Sequence, residues 1–278
     1  MPKDQSTSSE AGSTPLPSYE NPPLEEVVCG IQFESLKQFT SARAGLFWNA
    51  IRDRYPQNED QPPLPHQKEL PEPQPTPENQ FFQMPFTPRS WFLSADKTQL
   101  VQLQRDRFVR NWRRVNGNEE YPRFPTLIGD FKRDWLAFDE YVKTEQLGEI
   151  KIDQCELTYI NHIDKGEGWN SFAEIGKVFN FIQPTSRSGL LIEPETLSWA
   201  GAYKLPDGRG RLSVEMNPAF RGRDLKMVLS LIIRARGAPL GESTEEAFSW
   251  LELAHEWVVK SFDDLTDPEM HKLWKKIT

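Results

Sequence analysis

Asn161, His162 and Asp164 stand together in the run Tyr159-Ile160-Asn161-His162-Ile163-Asp164, the cluster in this chain with the most catalytic character. Histidine is the side chain that titrates nearest neutrality, so His162 at a strand end is a candidate general base. Asp164 or a carboxylate from elsewhere would orient it. The competing reading gives Asn161 and His162 a structural task, hydrogen-bonding backbone where a sheet ends, and this is the reading favoured. His255, near the apolar face of a C-terminal helix, reads as a packed residue rather than a ligand.

Arginines supply the second candidate. Arg105, Arg107, Arg110, Arg113 and Arg114, with Trp112 among them, fall in the single stretch from Leu100 to Arg114. A basic strand surface with an exposed ring would suit phosphate contacts and base stacking. Two features weigh against it. Arg105 and Arg107 flank a turn, and strand alternation sends Arg110 and Arg113 to opposite faces. Glu119, Glu120 and Asp130 are close in sequence and can pair with these cations. A second group, Arg209, Arg211, Arg221, Arg223, Arg234 and Arg236, would matter only if it met the first on one side of a sheet. The binding candidates are therefore Arg105, Arg107, Arg110, Trp112, Arg113, Asn161 and His162, with no catalytic residue and no metal ligand assigned.

Several chemistries are excluded by their missing patterns. The chain has no Gly-x-x-x-x-Gly-Lys-Ser/Thr loop, no Gly-x-Gly-x-x-Gly after a strand and no Gly-x-Ser-x-Gly elbow. Its four histidines and two cysteines are widely spaced, without His-Glu-x-x-His or Cys-x-x-Cys, so no zinc site and no cofactor is expected. A formal net charge of -8 argues against bulk binding of nucleic acid but leaves room for a local basic patch. Cys29 and Cys155 fall in predicted strands and read as buried free thiols, which suits a reducing cytoplasm. Neither an apolar leader nor a run of about 18 apolar residues is present, so a cytoplasmic protein away from membranes is expected.

These residues must be positioned by the elements around them. The centre is the hairpin from Leu100 to Arg114. Val101 and Leu103 alternate with polar neighbours, then Phe108, Arg110 and Trp112 take the other parity, with a tight turn at Arg105-Asp106. Before it, Val27, Cys29, Ile31 and Phe33 mark a strand, and Ala44, Phe47, Trp48, Ile51 and Tyr55 mark a helix. Trp91 to Ser94 is a further short strand. After the hairpin, Leu127, Ile128, Phe131, Trp135, Phe138 and Val142 share the face of a long helix stopped by Gly148. The order then repeats. Cys155, Leu157 and Tyr159 form a strand, Ser171 to Phe181 holds a short helix, and strands follow around Leu197–Tyr203, Leu212–Met216 and Met227–Ile233. Thr244-Glu245-Glu246 opens a last long helix carrying Ala247, Phe248, Leu251, Ala254, His255, Val258 and Phe262 on one face, and Met270 and Trp274 lie in a short helical tail.

The order predicts an α+β fold built from a duplicated unit of strand, helix, three strands and helix, its antiparallel sheet covered by helices on one side. Residues 1–20 read as a flexible tail, 21–148 as the first repeat and 149–278 as the second. Residues 56–88 hold ten of the 23 prolines and read as an extended loop outside the core. Whether the repeats share one sheet or face each other as two is open from the pattern alone.

Asn21-Pro22-Pro23-x-x-Glu26-Val27-Val28, with Leu100–Arg114 and Tyr121-Pro122-Arg123-Phe124, resembles a family of bacterial proteins of about this size, scattered sporadically among genomes. Tyr159–Ile163 and the helix from Phe248 to Phe262 are similar to it as well. The resemblance runs from Asn21 to about Leu265 and leaves out the tail and the proline loop. It implies a bacterial or phage-borne cytosolic protein and, through the sporadic distribution, a defence or toxin–antitoxin setting. It implies no catalytic residue.

Three functions follow as expectations. The first is a non-catalytic binding protein that recognises another protein, as an immunity or antitoxin factor would; a homodimer is a further expectation. The second is a small ligand or nucleotide held in a cleft between the repeats, lined by Trp91, Trp112, Tyr159 and Trp199. The third is an enzyme using His162.

Overall fold

The computed structural model of the chain describes residues 15–66, 69, 87–182, 190–191, 193–205 and 208–278. Its first half runs β1 (Leu24–Phe33), α1 (Ser41–Ile51), β2 (Gln57–Gln61), β3 (Arg89–Leu93), β4 (Gln99–Gln104), β5 (Arg107–Arg113) and α2 (Phe124–Thr144). The second half runs β6 (Ile152–Asp164), a 3-10 turn (Phe172–Lys177), β7 (Trp199–Lys204), β8 (Arg211–Phe220), β9 (Met227–Gly237), α3 (Thr244–Leu265) and α4 (Pro268–Leu273).

All the strands join one antiparallel sheet in the order β2-β3-β4-β5-β1-β6-β9-β8-β7. From the β1–β6 seam outward, each half repeats the same order: its first strand, its last, then those between in reverse, three in the first half and two in the second. The duplication therefore shows in the topology, and the open question of one sheet or two is answered by the seam. There Val27 faces Tyr159, Cys29 faces Leu157 and Ile31 faces Cys155. The alternation that places these side chains under the helices sends Glu26, Val28, Gly30 and Gln32 to the opposite, open face.

Rings fill the space between sheet and helices. Leu127, Phe131, Trp135, Phe138 and Val142 on α2, and Ala247, Leu251, Ala254 and Val258 on α3, are buried at helical spacing. Phe138 lies within 6.4 Å, centroid to centroid, of Phe33, Phe39, Phe47, Phe108 and Trp135, and so ties β1, α1 and β5 to α2. Cys29 and Cys155 are buried free thiols.

Some expectations shift. The last long helix is capped by Ser243, one residue earlier than expected, in a reciprocal box with Glu246. α2 ends after Thr144, before Gly148, because Glu145 donates its N–H to Tyr141 O and closes the last turn. Within the expected tail, residues 1–14 lie outside the described residues, but the segment 16–19 is tied to the fold. Tyr19 is buried, and Ser18 exchanges backbone hydrogen bonds with Ile277 and Thr278. In the expected loop, Gln57–Gln61 forms the outer strand beside β3, and Leu70–Pro77 lies outside the described residues. Two described residues between them lie on the open face: Leu64 N–H donates to Gln104 Oε1, and Glu69 N–H donates to Gln154 Oε1. Pro206-Asp207 of the expected turn is also outside the described residues. Among the described residues no helix is long and apolar enough to cross a membrane.

The ring hub gives the first prediction. Phe138→Ala leaves a cavity among five other rings and should cost about 3–5 kcal/mol. Urea unfolding should show a lower midpoint with an unchanged slope.

Candidate binding site at the seam between the repeats

Over the β1–β6 seam the helices of the two repeats do not close completely. A cavity of about 200 Å³ remains between the start of α2 and the middle of α3. Its floor holds Leu24 from β1, Tyr159 from β6 and Ile233 from β9; Phe124 lines it from α2, and Val258 and Phe262 from α3. Leu16 to Tyr19 lie across its mouth. This strap is held at several points. Ile277 N–H donates to Ser18 O at 2.7 Å, Tyr19 Oη donates to Asp263 at 2.5 Å, and Arg123 Nη1 donates to Tyr19 O at 2.7 Å. Arg123 caps α2 at φ 68°, a conformation disfavoured for a side chain with a Cβ and offset here by these tethers.

One wall of the cavity is polar. Tyr121 Oη lies 3.1 Å from Tyr159 Oη, which lies 3.0 Å from His255 Nδ1. Tyr159 reaches this point because it shares the parity of Cys155 and Leu157. His255 follows Ala254 on the buried side of α3, and Tyr121 is set by Pro122 just ahead of the helix. The Phe124 ring stacks on the imidazole, 3.8 Å between centroids and 6° from parallel. Burial pushes His255 down to about 4 and Tyr121 up to about 12. Burial, then the neighbouring Tyr121, holds Tyr159 well above the ordinary tyrosine value. All three groups are therefore uncharged at neutral pH, and the chain is a run of hydroxyl, hydroxyl and neutral imidazole.

Asn161 and His162 part company at this seam. Asn161 is buried on the cavity side, donating Nδ2 to Leu231 O at 3.2 Å. His162 points to the other side, into a charged cleft that also holds Glu25, Asp164, Arg221 and Arg223. Its backbone N–H donates to Pro23 O, and its Nδ1 lies 3.8 Å from the Glu25 carboxylate without a hydrogen bond. Burial lowers its pKa, with Glu25 opposing. Asp164 takes two hydrogen bonds from Arg221, at 2.6 and 2.9 Å, and is not bonded to His162.

The arginines of the central hairpin are likewise divided. Arg110 is buried on the helix side, bonded to Asp134 at 3.1 Å and to Asp130 at 2.9 Å. Trp112 is buried on that side too, its ring 5.5 Å from Tyr121. Arg107 and Arg113 face the open side; Arg107 donates to Gln32 and to Pro65 O, and Arg113 lies over the Trp91 ring and donates to Lys97 O. Arg105 sits in the turn and bonds Ser35. From the second group, Arg211, Arg234 and Arg236 share the open face with Arg107, but Glu69, Glu156 and Glu215 lie among them and pair with them. The two groups meet there with their charge compensated.

Of the rings expected to line a cleft, Tyr159 does. Trp112 backs Tyr121, Trp91 lies on the open face, and Trp199 packs on Phe181 near the far edge. Tyr121 and Phe124 are cavity residues not expected in a site from sequence, and His255, read there as a packed residue rather than a ligand, lines the cavity with them. The one signal was a histidine on the apolar face of a helix otherwise carrying alanine, valine and phenylalanine there. Among the described residues no group of His, Cys, Asp and Glu is placed to hold a metal ion. Compared with models of protein families and with curated proteins, the chain matches none.

The depressed His255 value carries a sign. Between the ordinary 6.5 and about 4, the unfolded chain binds a proton that the folded chain does not, so stability is lost as pH falls through that window. Relative to His255→Gln, the wild type should lose up to about 3 kcal/mol between neutral pH and pH 4. Urea midpoints measured across a pH series in both proteins check this. Parallel curves would count against the buried neutral imidazole.

Proposed function

We propose that the protein is a non-catalytic binding protein that holds a small molecule between its two repeats. One observation carries this reading: a cavity walled by both halves, apolar on most sides, with the Tyr121–Tyr159–His255 chain on the remaining one. Apolar pockets with a few convergent polar groups are where proteins bind small ligands. Among the described residues His255 hydrogen-bonds no carboxylate, and both tyrosines are neutral, which supports holding a ligand rather than moving protons through a reaction. A thermal-shift screen of metabolites tests it. A ligand at about 100 times its Kd should stabilise by about 2.7 kcal/mol. Val258→Phe, which fills the cavity, should fold and abolish the shift. The reading fails if no compound stabilises the wild type, or if the shift survives in Val258→Phe.

A second reading, recognition of another protein in a defence, immunity or toxin–antitoxin setting, is supported by the sheet's two edges. β2 is guarded by Glu59, Asp60 and the following Pro62-Pro63. At the other end β7 carries Ala200, Gly201 and Ala202 with Tyr203 47% exposed, and among the described residues no strand pairs beyond it. An extended segment of a partner, or β7 of a second copy, fits such an edge. Affinity capture from the native host with wild type and with Ala202→Lys/Tyr203→Lys separates the outcomes. Strand addition predicts a partner, or self-association, lost in the double variant. Retention by both proteins places recognition elsewhere.

A further inference from the structure

We infer that the seam cavity takes a small uncharged ring compound bearing one hydrogen-bonding group, of the phenol or indole class, read by the Tyr121–Tyr159–His255 chain. This rests on the small-molecule reading above and adds the chemistry of the ligand. Size is the first argument. A cavity of about 150 Å³ accepts benzene, so about 200 Å³ admits one ring with a short substituent or a fused pair. Shape and surface agree, because Leu24, Ile233, Val258 and Phe262 present apolar walls and Phe124 an aromatic one.

Charge is the second argument. Among the described residues no carboxylate lines the cavity, and the one cationic side chain there, Arg123, donates to the carbonyls of Tyr19 and Glu20. A cation would give up its hydration without gaining an opposite charge, and an anion would meet only the Arg123 guanidinium, which is solvent-exposed and already engaged by those two carbonyls.

Hydrogen bonding is the third. Tyr159 occupies the middle of the chain, with Tyr121 and His255 at its ends. His255 Nδ1 is taken by Tyr159, and Nε2 makes no hydrogen bond among the described residues. Tyr121 Oη bonds Tyr159 alone. The chain can run in either direction. With Tyr121 donating to Tyr159 and Tyr159 to Nδ1, the proton of the imidazole sits on Nε2, which becomes a donor. With the order reversed, Nε2 is an acceptor and the Tyr121 hydroxyl is the free donor. One site can thus satisfy a hydroxyl, which gives and takes, or an N–H, which only gives.

Calorimetric titration of the full chain with phenol, indole, benzene and benzoate tests the class, alongside Tyr121→Phe/His255→Phe. Phenol and indole should bind at least about tenfold tighter than benzene, the factor one buried hydrogen bond contributes. Benzoate should not bind at neutral pH. Tyr121→Phe/His255→Phe, which removes both free ends of the chain, should lose about that tenfold for phenol and keep its affinity for benzene, and each single variant, expected to lose part of it, serves if the double variant does not fold. Equal binding of benzene and phenol in wild type and variant would overturn the polar readout and leave a plain apolar site. Tighter binding of benzoate would overturn the neutral class. Silence from all four probes, while another metabolite is bound and is blocked by Val258→Phe, overturns the class and leaves the seam reading standing. Silence from every compound removes both.

Discussion

β1 and β6 exchange backbone hydrogen bonds from Leu24 opposite Asn161 to Phe33 opposite Ile152, and this ladder joins two repeats into one sheet. Because β1 is also paired with β5, and β6 with β9, neither seam strand has a free edge. Each repeat alone would expose one side of its first strand to water. Closing the seam satisfies those amides and carbonyls and sets Val27, Cys29 and Ile31 against Tyr159, Leu157 and Cys155 beneath the helices. The cavity follows from the same pairing. α2 and α3 arrive at the seam from opposite halves, and the gap between them is where the two packing arrangements meet.

Charge inside the first repeat is handled by pairing. Asp134 is fully buried on α2, yet it accepts hydrogen bonds from Arg54, Tyr55 and Arg110. A carboxylate so placed is tolerable only because several donors replace its water. The same logic governs the open face, where Glu156 lies between Arg234 and Arg236 and its pKa is lowered by them against the effect of its own burial. Most of the arginines that make the sequence look basic in places thus meet protein carboxylates or carbonyls, which leaves little free charge for a polyanion.

The seam chain is built on the opposite principle. Tyr159 is buried and Tyr121 and His255 are half-buried, none with a carboxylate partner among the described residues, and this burial keeps each one neutral. A neutral hydrogen-bond chain can reverse direction at small cost, whereas an ion pair is fixed in sign. That difference separates a structural network such as Asp134–Arg110 from one suited to meeting a small uncharged partner.

The sequence by itself determined the local structure and its order. Alternation at Val27–Phe33 and Val101–Trp112 specifies strands with one buried face, and the helical spacing of Leu127–Val142 and Ala247–Phe262 specifies two long amphipathic helices. Repetition of that order is legible as a duplicated α+β unit, because side-chain periodicity is a property of each segment alone. Tertiary structure decided which segments became neighbours. Nothing in Tyr121, Tyr159 and His255, up to 134 positions apart, announces a shared hydrogen-bond chain. Likewise, adjacent Asn161 and His162 look like one site but face opposite sides of the sheet. Strand pairing is made by backbone groups that every residue carries, so the choice of β6 as the partner of β1 is not written in any one side chain. It is settled by which arrangement buries both repeats' apolar faces while leaving no seam strand unpaired.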